Sequence, residues 1–147
     1  MTDRKFNIRV YGIHINKNNK VLVSDEYFKE TYITKFPGGG LEYGEGTKEC
    51  LLREWKEELN ADIEILDHLY TTDFFQKSAF GDSQIISVYY LVQPSQQLSI
   101  EFKTKPFDFD KLFDGVQVFR WISLDTVSEN DFTFPIDQQV IQLIKTH

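Results

Sequence analysis

The chain has 147 residues, 41% of them hydrophobic, and a formal net charge of −7, so one core burying about 68–70% of the unfolded surface is expected. The acidic balance argues against a general nucleic-acid backbone binder, which needs a basic face, and no apolar run approaches the ~20 residues of a membrane span. Cys50 is the single cysteine and the N-terminal stretch MTDRKFNIRV lacks the apolar centre of a signal peptide, so a reducing cytoplasm with no intrachain disulfide is the expected setting.

In chain order, Phe6, Ile8 and Val10 alternate with Asn7, Arg9 and Tyr11, the period of a strand. The strand is expected to run on through Ile13 and Ile15, with Gly12 at a bulge or a close approach. Asn16 to Lys20 reads as a turn, and Val21–Val23 as the returning arm of a hairpin. Tyr32 to Phe36 reads as a short strand ending at Pro37. Three consecutive glycines, Gly38, Gly39 and Gly40, then read as a loop that lets backbone approach closely.

A helix follows. Thr47 is placed at its N-cap or in its first turn, near Glu45 and Glu49. At 100° per residue, Leu52, Trp55 and Leu59 fall within roughly 60° and Glu54, Glu57 and Glu58 within roughly 100° on another side. The first set is expected to face a core and the second to present carboxylates. Like charges at this spacing repel, so a cation is expected among them. Asn60 stands where a helix often ends in the left-handed conformation, which asparagine tolerates.

Beyond the helix, Asp62 to Tyr70 gives one or two strands, and Ile85 to Val92 an apolar, central strand. Between them Phe74, Phe75 and Phe80 are open to two readings, packing in the core or stacking on a base. Glu101 to Gly115 is a long loop, or a short strand plus loop. Val116 to Ile122 is a further strand, Ser123 caps a turn through Val127, and Pro135 opens a final helix with Val140, Ile141 and Ile144 on its apolar stripe. Strands and helices in this order give an α/β (α+β) domain with helices on a mixed sheet, over residues 1–147.

Glutamates one turn apart supply hard oxygen ligands of the kind magnesium takes. A metal among them would neutralise a diphosphate and orient a water for attack on phosphorus. Arg53 can pair with carboxylates bidentately and hold them at fixed angles. The stretch Pro37–Ala61 resembles the box of the Nudix hydrolase family (MutT-like), G-x5-E-x7-R-E-U-x-E-E-x-G-U, where U is bulky and apolar. Gly39, Glu45, Arg53, Glu54, Trp55, Glu57 and Glu58 fall in register; Asn60 and Ala61 depart from it.

The resemblance implies a Nudix-type α/β/α sandwich with a mixed central sheet and hydrolysis of a diphosphate linkage in a nucleoside diphosphate derivative. An ADP-ribose-like molecule, a nucleotide sugar and a nucleoside triphosphate are the substrates in view. It implies Mg2+, with Mn2+ as an alternative, held by Glu57, Glu58, Glu54 and the Gly38 carbonyl. Glu54 would be ligand or general base, Arg53 would orient the glutamates, and Glu45 would support the loop or a second metal. Gly39, Gly40, Lys103 and Lys105 are candidate substrate contacts, and Asp110 or Asp114 a further carboxylate. The alternative function is a catalytically silent nucleotide sensor on the same fold. A homodimer is kept beside a monomer. His14, His68 and His147 are given no role, and Cys50 is read as a packed residue.

Overall fold

In the computed structural model, residues 5–146 are described; His147 and the first four residues lie outside them. The strands are β1 (Phe6–Ile13), β2 (Lys20–Phe28), β3 (Thr31–Lys35), β4 (Gly38–Gly40), β5 (Ile63–Thr71), β6 (Gln84–Pro94), β7 (Phe102–Lys103) and β8 (Val116–Ser123). The helices are α1 (Thr47–Leu59) and α2 (Pro135–Lys145), with a 3-10 turn at Glu129–Asp131. The α+β class expected from the sequence is observed, with the strands shared between two four-stranded sheets, β4-β1-β6-β5 and β3-β2-β8-β7. The chain divides into two compact units, the first holding residues up to Gly12 together with Gly38–Ser99, the second Ile13–Pro37 and the chain from Ile100 onward.

The expected hairpin between Phe6 and Val23 forms only at its tip, where the Asn16 N–H donates to the Lys20 carbonyl at 2.9 Å and the Leu22 N–H to the His14 carbonyl at 3.0 Å. β2 is paired with β8 from Lys20 to Tyr27 but with β3 only from Ser24 to Phe28, so β3 closes the second edge of β2 beyond Val23 and β1 lies in the other sheet. An isolated bridge, Ile15 to Val21, is what remains of that pairing. The turn itself is as expected: Asn16 Oδ1 accepts from the backbone N–H of Asn18 and of Lys20, and Asn19 takes a positive φ of 60°.

In the first unit, the glycines expected as a loop form an edge strand, β4, antiparallel to β1, with Gly38 opposite Tyr11 and Gly40 opposite Arg9. Glycine is required at the first of these. Gly38 has a φ of +152°, and a Cβ there would lie 2.1 Å from the Val10 carbonyl oxygen. β6 is interior to its sheet, as its apolar run demands. Cys50, Leu51, Trp55 and Leu59 of α1 are buried. Leu52, expected on that face, is exposed. Leu51, Trp55 and Leu59 are spaced by four and make the stripe, leaving Leu52 roughly 60° off its centre. Burying a leucine fully contributes about 1.5–3 kcal/mol, so Leu51 and Leu59 anchor the helix and Leu52 does not. Gly12 is a close approach: a Cβ there would stand 2.7 Å from Trp55 Nε1. Phe74 and Phe75, weighed as core residues, are exposed instead, because they sit in the connection between β5 and β6, not in a strand.

In the second unit, β7 pairs parallel to β8, which makes that sheet mixed. Glu101 to Gly115 is thus a short strand followed by a loop, one of its two expected forms. Pro135 occupies the first turn of α2, whose Ile136, Val140, Ile141 and Ile144 are buried. Among the described residues no helix is long and apolar enough to cross a membrane.

Candidate active site

The first unit gathers most of the expected site residues around one guanidinium. Gly46, in extended conformation, precedes α1, and its N–H donates to the Glu49 side chain at 2.9 Å. This fixes where the helix begins and hence the angular position of Arg53. Arg53 Nε donates to Glu45 Oε2 at 3.0 Å and Nη2 to Glu45 Oε1 at 2.7 Å. Nη2 also donates to the Gly40 carbonyl at 3.1 Å. Nη1 reaches Glu54 Oε1 at 3.0 Å and Glu57 Oε2 at 3.3 Å, with Glu42 at 3.8 Å.

These pairs are not equivalent. The Glu45 and Glu54 side chains are 15% and 13% exposed, against 60% for Glu57 and 69% for Glu42. Exposed pairs contribute little in water, so the bidentate Glu45 and the covered Glu54 fix the guanidinium. The Arg53 hydrogen bonds hold the Glu45 carboxyl down at about 2, helped by the Glu42 N–H. The same Glu45 bonds push the Arg53 pKa further above its ordinary value. Four carboxylates against one guanidinium leave the cluster strongly negative.

Glu54 is also shaped by β4. A Cβ on Gly39 would lie 2.5 Å from the Glu54 carboxyl carbon, so only glycine lets that carboxylate rest against the strand. Cys50 lies beneath, its thiol 3.5 Å from the Gly40 carbonyl. Burial, and then Glu45, push its pKa up to about 12, which excludes thiolate chemistry at neutral pH. Glu58 follows Glu57 on α1 and is half-buried. Thr47, in the first turn of α1, holds the helix start against β6 through a 2.6 Å hydrogen bond between its hydroxyl and that of Tyr90.

The donors here are hard oxygens suited to a divalent ion. Among the described residues, no three acidic, histidine or cysteine side chains converge as a ready metal cage; the carboxylates turn to Arg53 instead. A family model of the NUDIX domain matches residues 5–144.

The chain belongs to the Nudix family. It is similar to an RNA pyrophosphohydrolase of a Nitratiruptor species, 31% identical over 123 residues, which covers 76% of this chain and 73% of that one. It is also similar to an RNA pyrophosphohydrolase of Campylobacter jejuni, 35% identical over 101 residues, covering 62% of this chain and 64%, just under two thirds, of that protein. A solved NUDIX hydrolase from Nitrosomonas europaea matches with a TM-score of 0.70 at 19% identity, over 97% of this chain and 90% of that one; this is a likeness of fold. The enzyme class expected from the sequence, hydrolysis of phosphorus anhydride bonds, follows from this membership. Nudix hydrolases generally use divalent metal ions and phosphate-containing substrates.

The remaining expected contacts of this Nudix chain lie in the second unit. Lys103, on β7, pairs with Glu101 and with Asp110, each at 3.3 Å. Those two carboxylates, Asp110 first, raise its pKa. Asp110 is thereby engaged, and Asp114 accepts the Lys29 N–H at 3.1 Å. Lys105 is exposed in the loop that follows. Two relationships escaped sequence reading. The Arg53 bond to the Gly40 carbonyl depends on β4 being a strand. Asp25 is fully buried and paired with Arg120; its signal was a carboxylate in alternation with Val21 and Val23, on their face of the strand.

Proposed function

We propose that the chain, acting as a single Nudix domain, is a magnesium-dependent pyrophosphohydrolase of nucleotide substrates, with the 5′ polyphosphate of an RNA as the first substrate to test. The observation that carries this reading is the excess of carboxylates around Arg53. One guanidinium cannot neutralise Glu42, Glu45, Glu54 and Glu57, and a divalent cation supplies the missing charge. Glu54, Glu57, Glu58 and the Gly38 carbonyl would hold it, with manganese as a substitute. When bound, such an ion neutralises phosphate oxygens and lowers the pKa of a water.

The protein's own part is positioning. Arg53 holds Glu54 at a fixed angle, and Glu45 holds Arg53. Glu54, resting against Gly39, is the carboxylate placed to accept a proton from an attacking water, in addition to or instead of ligating. Gly39 and Gly40 offer a strand without side chains, along which a phosphate chain can lie close to backbone. RNA is favoured because two relatives carry that activity in their names. The net charge of −7 limits contact to the end of the RNA, since a longer backbone would be repelled.

The test is phosphate or pyrophosphate release from 5′-triphosphorylated RNA, nucleoside triphosphates, nucleotide sugars and ADP-ribose, each with magnesium or manganese. Glu57→Gln and Glu58→Gln are expected to lower turnover by about 100-fold or more, on the order of losing one charged catalytic interaction, with an unchanged circular dichroism spectrum. Full activity in both variants would overturn the site, and activity on sugars or ADP-ribose alone would overturn the RNA reading.

A further inference from the structure

The second unit carries an aromatic arrangement that the pyrophosphohydrolase reading does not use. Tyr32, on the edge strand β3, and Phe109, in the loop after β7, present near-parallel rings with centroids 6.5 Å apart and 18° between their planes. Stacked nucleotides rise by about 3.4 Å each, so two rings embracing a third planar ring stand about 7 Å apart. Phe107 is set edge-on to Tyr32 at 5.3 Å and tilted to Phe109 at 6.2 Å. Both separations are too long for a ring lodged between the two faces, so Phe107 lies beside the pair and not between its rings. Tyr27 buttresses Tyr32 from another side at 5.1 Å. Tyr32 remains 49% exposed, which a ring packed as core would not be.

The arrangement is held by a buried charge. Asp25 is fully buried. Its Oδ1 accepts from Thr34 Oγ1 at 2.7 Å and from Arg120 Nη2 at 3.2 Å. Its Oδ2 accepts from Arg120 Nε and, at 3.1 Å, from the backbone N–H of Phe107. Phe107 has a φ of +54°, a conformation that a bulky side chain adopts only when its surroundings impose it. The Phe109 N–H then donates to the Phe107 carbonyl at 2.9 Å, a tight turn that brings both rings beside Tyr32. A plain connection would have no need of a desolvated ion pair that pins it in a strained conformation.

We propose that Tyr32 and Phe109 form a nucleobase clamp, with Phe107 as its side wall and Asp25 as the residue that positions it. The ligand is the base of a nucleotide or of an RNA end. From the proposed function this takes only that the ligand carries a base. Stacking is sequence-tolerant, because every base has a π-face, so the clamp recognises a base without selecting one.

The test uses nucleosides, which have no phosphate for the Nudix box to act on. The full chain is titrated with adenosine, guanosine and, as a control without a base, ribose, following the ring resonances of Tyr32 and Phe109 by NMR. Both nucleosides are expected to shift these resonances and ribose to leave them unmoved. Tyr32→Leu and Phe109→Leu, which keep apolar bulk, are expected to weaken nucleoside binding by about 5- to 150-fold, the range for losing one base–aromatic stack. Unmoved rings in the wild-type protein would overturn the clamp whatever the variants do. So would ring shifts that follow protein concentration and not nucleoside, since the rings would then be a contact between two copies of the chain. Failure of RNA hydrolysis would leave this titration intact, so the two proposals fail separately.

Discussion

Gly39 and Glu54 are in direct apposition: a single methyl group on Gly39 would reach to 2.5 Å of the Glu54 carboxyl carbon. The glycine therefore determines where a charged oxygen rests on the neighbouring helix. Gly39→Ala should displace Glu54 while leaving β4 paired, because the backbone at this position needs no left-handed φ. Turnover is expected to fall roughly tenfold or more with a much smaller change in KM, the pattern of a misplaced catalytic group. Steady-state kinetics on the preferred substrate checks this, with circular dichroism as the control. An unchanged turnover number would mean that Glu54 is free to move without consequence.

Glu45 gives a prediction in pH. Its carboxyl is lowered from an ordinary 4.5 to about 2 by Arg53. The folded state thus binds this proton less readily than the unfolded chain, and the stabilisation is fully present above about pH 4.5. It is lost as the pH falls toward about 2. Thermal melts of the wild-type protein and of Glu45→Gln should differ most at about pH 5 and above, and the gap should close on acidification through that window. A gap that does not depend on pH would show that Glu45 acts by shape and not by charge.

The metal-dependent prediction follows from the same excess charge. Carboxylates held together without a counter-ion destabilise the native state, and an ion that binds only the native state stabilises it by about 2.7 kcal/mol at about 100 times its Kd. For a chain of this length that corresponds to a rise in Tm of roughly 5–10 °C. Melts in millimolar magnesium against a chelator should show the rise in the wild-type protein, and a smaller one in Glu57→Gln and Glu58→Gln. Equal melting with and without magnesium would remove the cation from the account.

The grouping of Glu54, Glu57 and Glu58 was legible because a helix converts spacing directly into shared faces, whereas Gly39 and Glu45 precede the helix and were placed only by the resemblance to the family's box. That Glu45 and the Gly40 carbonyl converge on Arg53 was not legible, because it depends on the fold of the loop and of β4 before the helix. What the sequence did not yield depends on partners far away in the chain. The glycines look like a loop until β1 is placed beside them, since glycine has no side chain to announce a strand. The hairpin reading of Phe6–Val23 held only at the turn, because a turn between two strands is compatible with either sharing or separating sheets, and beyond Val23 it is β3 that takes the edge of β2 that β1 would have used. Leu52 was misplaced because Leu51 and Leu52 are equally apolar and the wheel centre depends on which of them is counted. Phe107 was invisible as a strained residue, since only the buried Asp25 reveals why it turns.

The end of α1 offers the sharpest test of local reasoning. Asn60 has φ 50° and ψ 40°, left-handed, and its N–H donates to the Lys56 carbonyl at 3.1 Å while the Ala61 N–H reaches the Trp55 carbonyl at 3.3 Å. The position thus satisfies two carbonyls that would otherwise be left open at the helix end. Glycine adopts this conformation freely, asparagine at small cost, and a β-branched residue only against a clash between its Cβ and the following carbonyl. Asn60→Gly should therefore be within about 0.5 kcal/mol of the wild-type protein. Asn60→Val should cost about 1–2 kcal/mol. Urea unfolding at constant m-value measures both. Because Leu59 immediately precedes the cap and is fully buried, the valine variant should also loosen the last turn of α1, seen as faster amide exchange there with Glu45 and Arg53 unaffected. Equal stability of the glycine and valine variants would show that the left-handed turn is not what ends the helix.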